Sequence, residues 1–369
     1  SGYNADKKHA LFLFLDPHAA GALPLSEYKA IASKYDLILV GSNNVKNGMP
    51  LEESARLIKL ALEDAASRFN IDEHSIFLVG FSGGARVAGT LVAQGFPAAG
   101  LIACSAGIPI SPVLKKIPVS LIAGLDDANL GEMLALEETM LQQGAAPHFS
   151  AFLGAHAWAP DSVMELAMRA VLFNHIGADL PESWTAVYEA DFSKRAKRCQ
   201  DALDLHRLCE ERDAMLFKNK NADNNQIHTL DSINNEQGQV EVLKRHWVEI
   251  LRMEEQRKKE YLQALNSQDL TYWQKELANL RKTISVSEDD RHIKQRLLGW
   301  LGLALYSYST RAVNGGSGDS NYYVSLYHLV EPENAEADYL RAVLMARSGA
   351  PVSELSKQLN MAVHHGFSE

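Results

Sequence analysis

Cysteine is scarce in this sequence, with only Cys104, Cys199 and Cys209 among 369 residues. Three cysteines at these positions make neither a disulfide framework nor a metal-binding cluster. We therefore expect each of them to act as a small apolar residue, buried or half-buried in a core. No other pattern in the sequence predicts a metal site or a cofactor.

Long apolar runs and an excess of positive charge are also missing. No apolar run approaches the roughly 20 residues that a membrane-spanning helix needs, so we expect a soluble chain without a transmembrane segment. The sequence has 36 Lys and Arg residues against 46 Asp and Glu residues, which gives a formal net charge of −10. This balance argues against nucleic acid or an anionic membrane as the main partner.

A leader sequence is the third absence, because a strand is predicted to begin almost at once, near His9. Nothing before it has the charged, then apolar, then small-residue pattern of a leader. The protein is therefore expected to be either cytoplasmic or exported with its leader removed, as a secreted or periplasmic protein or a lipoprotein. The abrupt polar start at Ser1 and Gly2 favours export.

Residues 10–176 alternate apolar strands with amphipathic helices. The predicted strands are Ala10–Leu15, Leu37–Val40, Ser75–Val79, Leu101–Cys104, Val119–Ala123 and His148–Phe152. Strands that are apolar on both faces and separated by helices are typical of a mainly parallel sheet covered on both sides. The fold class expected for this part is therefore α/β, with a sheet of about six strands.

After Pro181 the pattern becomes helical throughout. Predicted helices cover Ser183–Phe217, Val240–Asn266, Leu270–Thr283, Asp289–Ser309, Ser320–Val330, Ala335–Ser348 and Ser353–Gly366. We expect two domains, residues 1–178 and an all-helical domain, residues 179–369. The last two helices resemble one tetratricopeptide repeat, since small residues let them approach closely, although a plain helical hairpin is the alternative.

One short stretch organises the first domain. Gly80-x-Ser82-x-Gly84 lies between a buried strand and a helix, which is the context of a tight strand-to-helix turn. A serine at the tip of such a turn needs neighbours without side chains two residues before and after it. The turn also aims the amide of Gly83 and the first turn of the helix at a reacting oxygen.

Two later strands end in groups that can serve a nucleophilic serine. The strand Val119–Ala123 leads to Asp126 and Asp127, and the strand His148–Phe152 leads to His156. Because the carboxyl ends of parallel strands share one edge of the sheet, we expect these groups to lie on the same rim as Ser82.

With these residues in place, 10–176 resemble the α/β-hydrolase family in its compact esterase, dienelactone-hydrolase and depolymerase-like form. The motifs are Gly80-x-Ser82-x-Gly84, Gly124-x-x-Asp127 and Gly154-x-His156, in that order. The resemblance implies a minimal catalytic domain in which Ser82 is the nucleophile, His156 is the general base and then acid, and Asp127 orients the imidazole. Asp126 is the rival acid, but Asp127 has the better spacing.

The chain departs from this family in the loop after the first strand, where His-Gly and further glycines usually supply an oxyanion-hole amide. This chain has Asp16 and Pro17 there instead, and proline has no N–H. The backbone of His18 or Ala19 would therefore have to join Gly83 in the oxyanion hole. Elsewhere in the site, Phe81 and Trp158 are expected to line the substrate pocket.

Two functions of different classes fit these observations. The first is a serine hydrolase that cleaves a small acyl or ester substrate, with carbohydrate-linked esters as one option and a serine peptidase as the alternative within enzymes. The second is a weak or inactive hydrolase-like scaffold that binds a protein partner through its helical domain.

Six aromatic residues of the helical domain are candidates for contact with the hydrolase-like domain. The set comprises Trp184, Tyr188, Trp247, Trp273, Trp300 and Tyr306. Either part of this set docks against the hydrolase and narrows access to Ser82, or all of it forms the core of the helical bundle.

Overall fold

The computed structural model describes residues 3–177, 237–282, 287–316 and 319–367, together with 180, 181, 184, 190–192, 194, 195, 205, 206, 208 and 209. Most of the helix predicted for Ser183–Phe217 lies outside the described residues, as do Tyr188 and Cys199. Of the helices within the described ranges, none combines the length and the apolar character needed to cross a bilayer.

Six strands form one parallel sheet. They are β1 His9–Leu15, β2 Ile38–Ser42, β3 Ile71–Phe81, β4 Gly100–Cys104, β5 Val119–Gly124 and β6 His148–Phe152. Their order across the sheet is β2-β1-β3-β4-β5-β6, and every neighbouring pair is parallel. The strand that leads to Ser82 therefore has a hydrogen-bonded neighbour on each side. The predicted α/β fold with a minimal six-stranded sheet is confirmed.

Helices cover both faces of this sheet. Within residues 3–177 they are α1 Ala22–Tyr35, α2 Leu51–Arg68, α3 Gly83–Ala93, α4 Leu130–Gln142 and α5 Asp161–Ile176. Side chains of β1 alternate between the faces: Leu11, Leu13 and Leu15 pack in a core with residues of α2, α3 and α4. Phe12 and Phe14 pack with residues of α1 and α5 instead. All five are fully buried, as expected for a strand between two helical layers.

The central strand β3 is longer than the predicted Ser75–Val79. It begins at Ile71, which pairs with His9, and the register then shifts before Leu11. Residues 72–74 are polar and face solvent wholly or in part. This first half of the strand therefore lacks the apolar run by which a buried strand is recognised in a sequence.

Every element of regular secondary structure that is described after residue 236 is a helix. Its helices are α6 Gln237–Ser267, α7 Leu270–Leu280, α8 Glu288–Gly315, α9 Ser320–Val330, α10 Ala335–Arg347 and α11 Val352–His364. The predicted helical character of this part is confirmed. Helix α8 extends past its predicted end and stops at Gly316, whose φ of 66° is a left-handed conformation that glycine adopts without strain.

The protein divides into two compact units, Ser1–Val248 and Glu249–Glu369. The division falls inside helix α6. The domain boundary predicted after residue 178 stays a prediction.

The aromatic residues of the helical part divide between the two units. Trp184 packs against the core on the α1 and α5 side, where it stacks on Phe173 at 6.1 Å. Trp247 belongs to the opposite core of the sheet, whereas Trp273 is fully buried in the core of the second unit. Trp184 and Trp247 therefore pack on the two cores of the sheet. The expected effect of these aromatic residues on access to Ser82 stays a prediction.

The second unit contains a buried ion cluster beside its apolar core. Glu254 of α6 accepts a hydrogen bond from Arg296 Nε of α8 at 2.6 Å, and Lys258 Nζ lies 2.8 Å from its other oxygen. Glu254 and Arg296 are only 1% and 3% exposed. Charges so far from water need such pairing, because an isolated buried charge is very costly.

The first turns of α6 complete the first unit. Trp247 is 8% exposed, and its ring lies 5.2 Å from that of His206. One turn earlier, Lys244 Nζ lies 3.1 Å from Glu137 Oε1 of α4. Burial raises the pKa of Glu137, and the ammonium group opposes part of that rise. This segment therefore closes the α4 side of the sheet with both an apolar and an ionic contact.

Trp247→Ala should destabilise the protein strongly, because truncation of a buried aromatic side chain costs about 3–5 kcal/mol. The neighbouring Val248 is 61% exposed, so Val248→Ala is the matched control and should change stability by less than about 0.5 kcal/mol. Urea denaturation of the full chain followed by far-UV circular dichroism measures both. Equal midpoints for the two variants would show that the first unit does not depend on this contact.

Candidate active site

Ser82 lies at the tip of a tight turn between β3 and α3. Its backbone has φ 51° and ψ −120°, a region that residues other than glycine rarely adopt. A Cβ on Gly80 would lie 2.4 Å from backbone atoms of Gly84 and Ala85, and a Cβ on Gly84 would lie 2.0 Å from the carbonyl oxygen of Leu15. Close backbone contact therefore requires both glycines, and the strained turn holds the serine between them.

The loops after β5 and β6 are tied together by their backbones. A Cβ on Gly124 would lie 2.2 Å from the carbonyl oxygen of Gly154. The amide of Asp126 donates to that same oxygen at 2.8 Å, and the amide of Asp127 donates to the carbonyl oxygen of Gly124 at 3.1 Å. These contacts hold Asp127 close to the loop that carries His156.

Ser82, His156 and Asp127 form a continuous chain of hydrogen bonds. His156 Nδ1 lies 3.0 Å from Asp127 Oδ1, and because a carboxylate only accepts, Nδ1–H is the donor. In the neutral ring Nε2 is then an acceptor, and it lies 2.9 Å from Ser82 Oγ. The arrangement can draw the hydroxyl proton of Ser82 towards the imidazole.

The side chains of Asp127 and His156 differ in burial. The Asp127 side chain is fully buried, whereas that of His156 is 25% exposed. Asp127 Oδ1 also accepts a hydrogen bond from the amide of Asn129 at 2.9 Å. Asp126 is half-buried, and the acid in contact with His156 is Asp127.

One aromatic ring, Phe81, packs against the imidazole, and Trp158 packs against Phe81. Phe81 lies 4.9 Å from the ring of His156 and 5.4 Å from that of Trp158. Trp158 Nε1 donates to Asp16 Oδ2 at 2.9 Å. Asp16 thus joins the loop after β1 to the segment that carries His156. The expected pocket role of Phe81 and Trp158 stays a prediction beside these packing contacts.

The amides expected to form an oxyanion hole have unequal surroundings. Gly83 is the first residue of α3, and amides of a helix's first turn lack an intrahelical acceptor and favour negative charge. The amide of His18 donates to Asp16 Oδ1 at 2.8 Å, and the amide of Ala19 donates to the carbonyl oxygen of Asp16 at 3.1 Å. To donate to an oxyanion, either amide would have to share its hydrogen bond with Asp16 or break it. The identity of the second donor therefore stays a prediction.

Other ionisable residues near the sheet are structural. Burial, with smaller contributions from Arg169 and Arg195, lowers the pKa of His148 to about 3, so its ring is neutral. Burial raises the pKa of the Cys104 thiol to about 12, which makes it a poor nucleophile. Across the described ranges, no group of three or more His, Cys, Asp or Glu side chains is arranged to hold a metal ion.

Sequence reasoning missed two polar residues that organise the site. Asp16 is 4% exposed and contacts Trp158, which lies 142 positions away in the chain. Asn47 follows β2, and its side chain lies against Gly83. An aspartate before a proline is a turn signal, but no local pattern indicates either long-range contact.

No protein-family model and no curated protein matches this sequence. Among solved structures, S-formylglutathione hydrolase (FrmB) from Staphylococcus aureus is 14% identical over 46% of this chain and 84% of that one, with a TM-score of 0.38. A Bacillus cereus carboxylesterase is 19% identical over 45% of this chain and 89% of its own, with a TM-score of 0.36. At such identities and scores these similarities carry no argument about the activity of this chain.

Proposed function

We propose that the protein is a serine hydrolase that cleaves carboxylic esters through an acyl-enzyme intermediate. The observation that carries the proposal is the chain of hydrogen bonds from Ser82 through His156 to buried Asp127. The strained backbone of Ser82 supports it further, because strain of this kind persists mainly where it serves a site. The three residues come from three separate loops at one edge of the sheet.

In the first half of the reaction, Ser82 Oγ attacks the ester carbonyl while its proton passes to His156 Nε2. The carbonyl oxygen becomes an oxyanion, and the Gly83 amide at the start of α3 stabilises it. Collapse of this intermediate releases the alcohol, which takes the proton from His156. The acyl group stays on Ser82.

In the second half, water attacks the acyl carbon while His156 Nε2 accepts the proton of the water. Collapse of the second tetrahedral intermediate breaks the bond to Ser82 Oγ, which takes that proton from His156 as the carboxylic acid leaves. Asp127 stabilises the imidazolium in both halves and keeps Nδ1 protonated, so that Nε2 faces the serine. Phe81 and Trp158 restrict the movement of the imidazole and form the apolar wall of the substrate pocket. The substrate class is a small acyl ester, with carbohydrate-linked esters among the candidates.

We also propose a tetratricopeptide-like hairpin at the end of the chain. Ala342 of α10 and Ala362 of α11 are 1% and 0% exposed, as required where two helices pack closely. Gly349 makes the turn between them with a φ of 77°. A protein partner for the helical part is consistent with such a hairpin.

Ser82→Ala should abolish hydrolysis, since loss of the nucleophile costs about 10⁶ in kcat in such enzymes. Labelling by a fluorophosphonate probe, with mass spectrometry of the labelled peptide, and hydrolysis of p-nitrophenyl acetate measure this. Ser67→Ala, at a hydrogen-bonded but exposed position on α2, is the matched control and should behave as wild type. A wild-type protein that neither reacts with the probe nor cleaves aryl esters or peptides would be a scaffold.

Asp127→Asn should reduce kcat/KM far more than Asp126→Asn. The amide at position 127 favours the wrong imidazole tautomer, which costs about 10⁴ in such triads, and Asp127 is the carboxylate bonded to His156 Nδ1. Steady-state hydrolysis of an aryl acetate compares the two variants, with thermal unfolding as a check on folding. The reverse ranking would assign the acid to Asp126.

A further inference from the structure

Gly83 has a steric reason to be glycine that the turn motif does not supply. The motif needs glycine two residues before and after Ser82, while the next residue is free to vary. A Cβ on Gly83 would lie 1.7 Å from Oδ1 and 3.1 Å from Nδ2 of Asn47. The side-chain carboxamide of Asn47 thus occupies the space that any larger residue at 83 would need.

Asn47 is held beside the turn by its backbone. Its amide donates to the carbonyl oxygen of Pro17 at 2.8 Å, and the preceding residue Lys46 forms an antiparallel bridge with His18. The loop after β2 is therefore joined to the loop after β1, where an oxyanion donor was expected. The Asn47 side chain is nevertheless exposed, so a substrate can reach it.

The backbone of the β1 loop is poorly placed to provide the second donor. Pro17 has no N–H, and the amides of His18 and Ala19 both donate to Asp16. The amide of Ala20 lies 3.3 Å from the same carboxylate. The carboxylate that binds the amides of His18 and Ala20 also accepts from Trp158, whereas the Ala19 amide is bound to the main-chain carbonyl of Asp16.

We propose that the Asn47 carboxamide is the second oxyanion donor, paired with the Gly83 amide. The inference rests on the proposed hydrolase activity and assigns a catalytic side chain to it. As the Ser82 Oγ–carbon bond forms, the carbonyl π electrons move to oxygen and the hydroxyl proton moves to His156. The Nδ2 atom of Asn47 carries two N–H donors. The Asn47 side chain contacts Gly83, whose amide is the first donor to the oxyanion.

Asn47→Ala and Asn47→Asp should both lower kcat for p-nitrophenyl acetate by about 10²–10³, the usual effect of losing one oxyanion donor, with little change in KM. Affinity for an arylboronic acid, which forms a tetrahedral adduct on the serine, should fall with kcat. Asn43→Ala and Asn44→Ala alter exposed side chains in the same loop and should leave both values unchanged.

Gly83→Ala provides a test that depends on the contact itself. The added methyl group meets the end of a flexible side chain, so the Asn47 carboxamide should move away while the fold survives. Gly83→Ala should then reduce kcat about as much as Asn47→Ala, and the double variant should lose no more than either single one. This non-additivity is the signature of two residues that act through one interaction.

Two results would overturn the inference, and they are distinguishable. If Ser82→Ala abolishes activity but Asn47→Ala keeps the wild-type kcat, or raises KM alone, the hydrolase proposal stands and Asn47 is no oxyanion donor. If the wild-type protein cleaves no ester or peptide and Ser82 does not react with a fluorophosphonate, the proposed function and this inference both fail.

Discussion

The site depends on the strained backbone of Ser82. A residue in this conformation costs about 1–3 kcal/mol and persists only where its surroundings leave no alternative. Here the strand before it lies between β1 and β4, and the Ser82 amide donates to the carbonyl oxygen of Cys104 at 2.9 Å. The Ser82 carbonyl accepts from the amides of Ala85 and Arg86 at 3.0 and 3.2 Å. Strand and helix are each fixed, so the turn cannot relax by moving either.

The parallel sheet brings the Ser82 turn together with the loops that carry Asp127 and His156. Because all strand pairs are parallel, the loops after β1, β3, β5 and β6 meet at one edge. Gly124, at the end of β5, allows a backbone contact with Gly154 in the loop after β6 that a side chain would prevent. Asp16 then links the first loop to the last through Trp158. The geometry of Ser82, Asp127 and His156 is therefore set by backbone contacts and one buried carboxylate.

Local patterns in the sequence predict what local physics determines. Apolar runs marked five of the strands closely, and the spacing of Gly80, Ser82 and Gly84 marked the turn, because both depend on neighbours in the chain. The polar first half of β3 was missed because its strand character comes from pairing with His9. The contacts of Asn47 and Trp247 could not be predicted from local patterns. The sequence around an exposed asparagine does not indicate which glycine it contacts, and the pattern of an amphipathic helix does not indicate which surface it packs against.

The second unit is specified by interactions of its own. All groups assigned to chemistry lie within residues 16–158, whereas Glu254, Lys258 and Arg296 pair inside the second unit. Burying such charges adds little net stability, because desolvation opposes their attraction. A shift of α6 by one turn against α8 would leave the Glu254–Arg296 pair buried and broken, at a cost that apolar contacts alone would not impose. The cluster therefore ties α6 to α8 within the second unit and contains none of the residues assigned to the proposed chemistry.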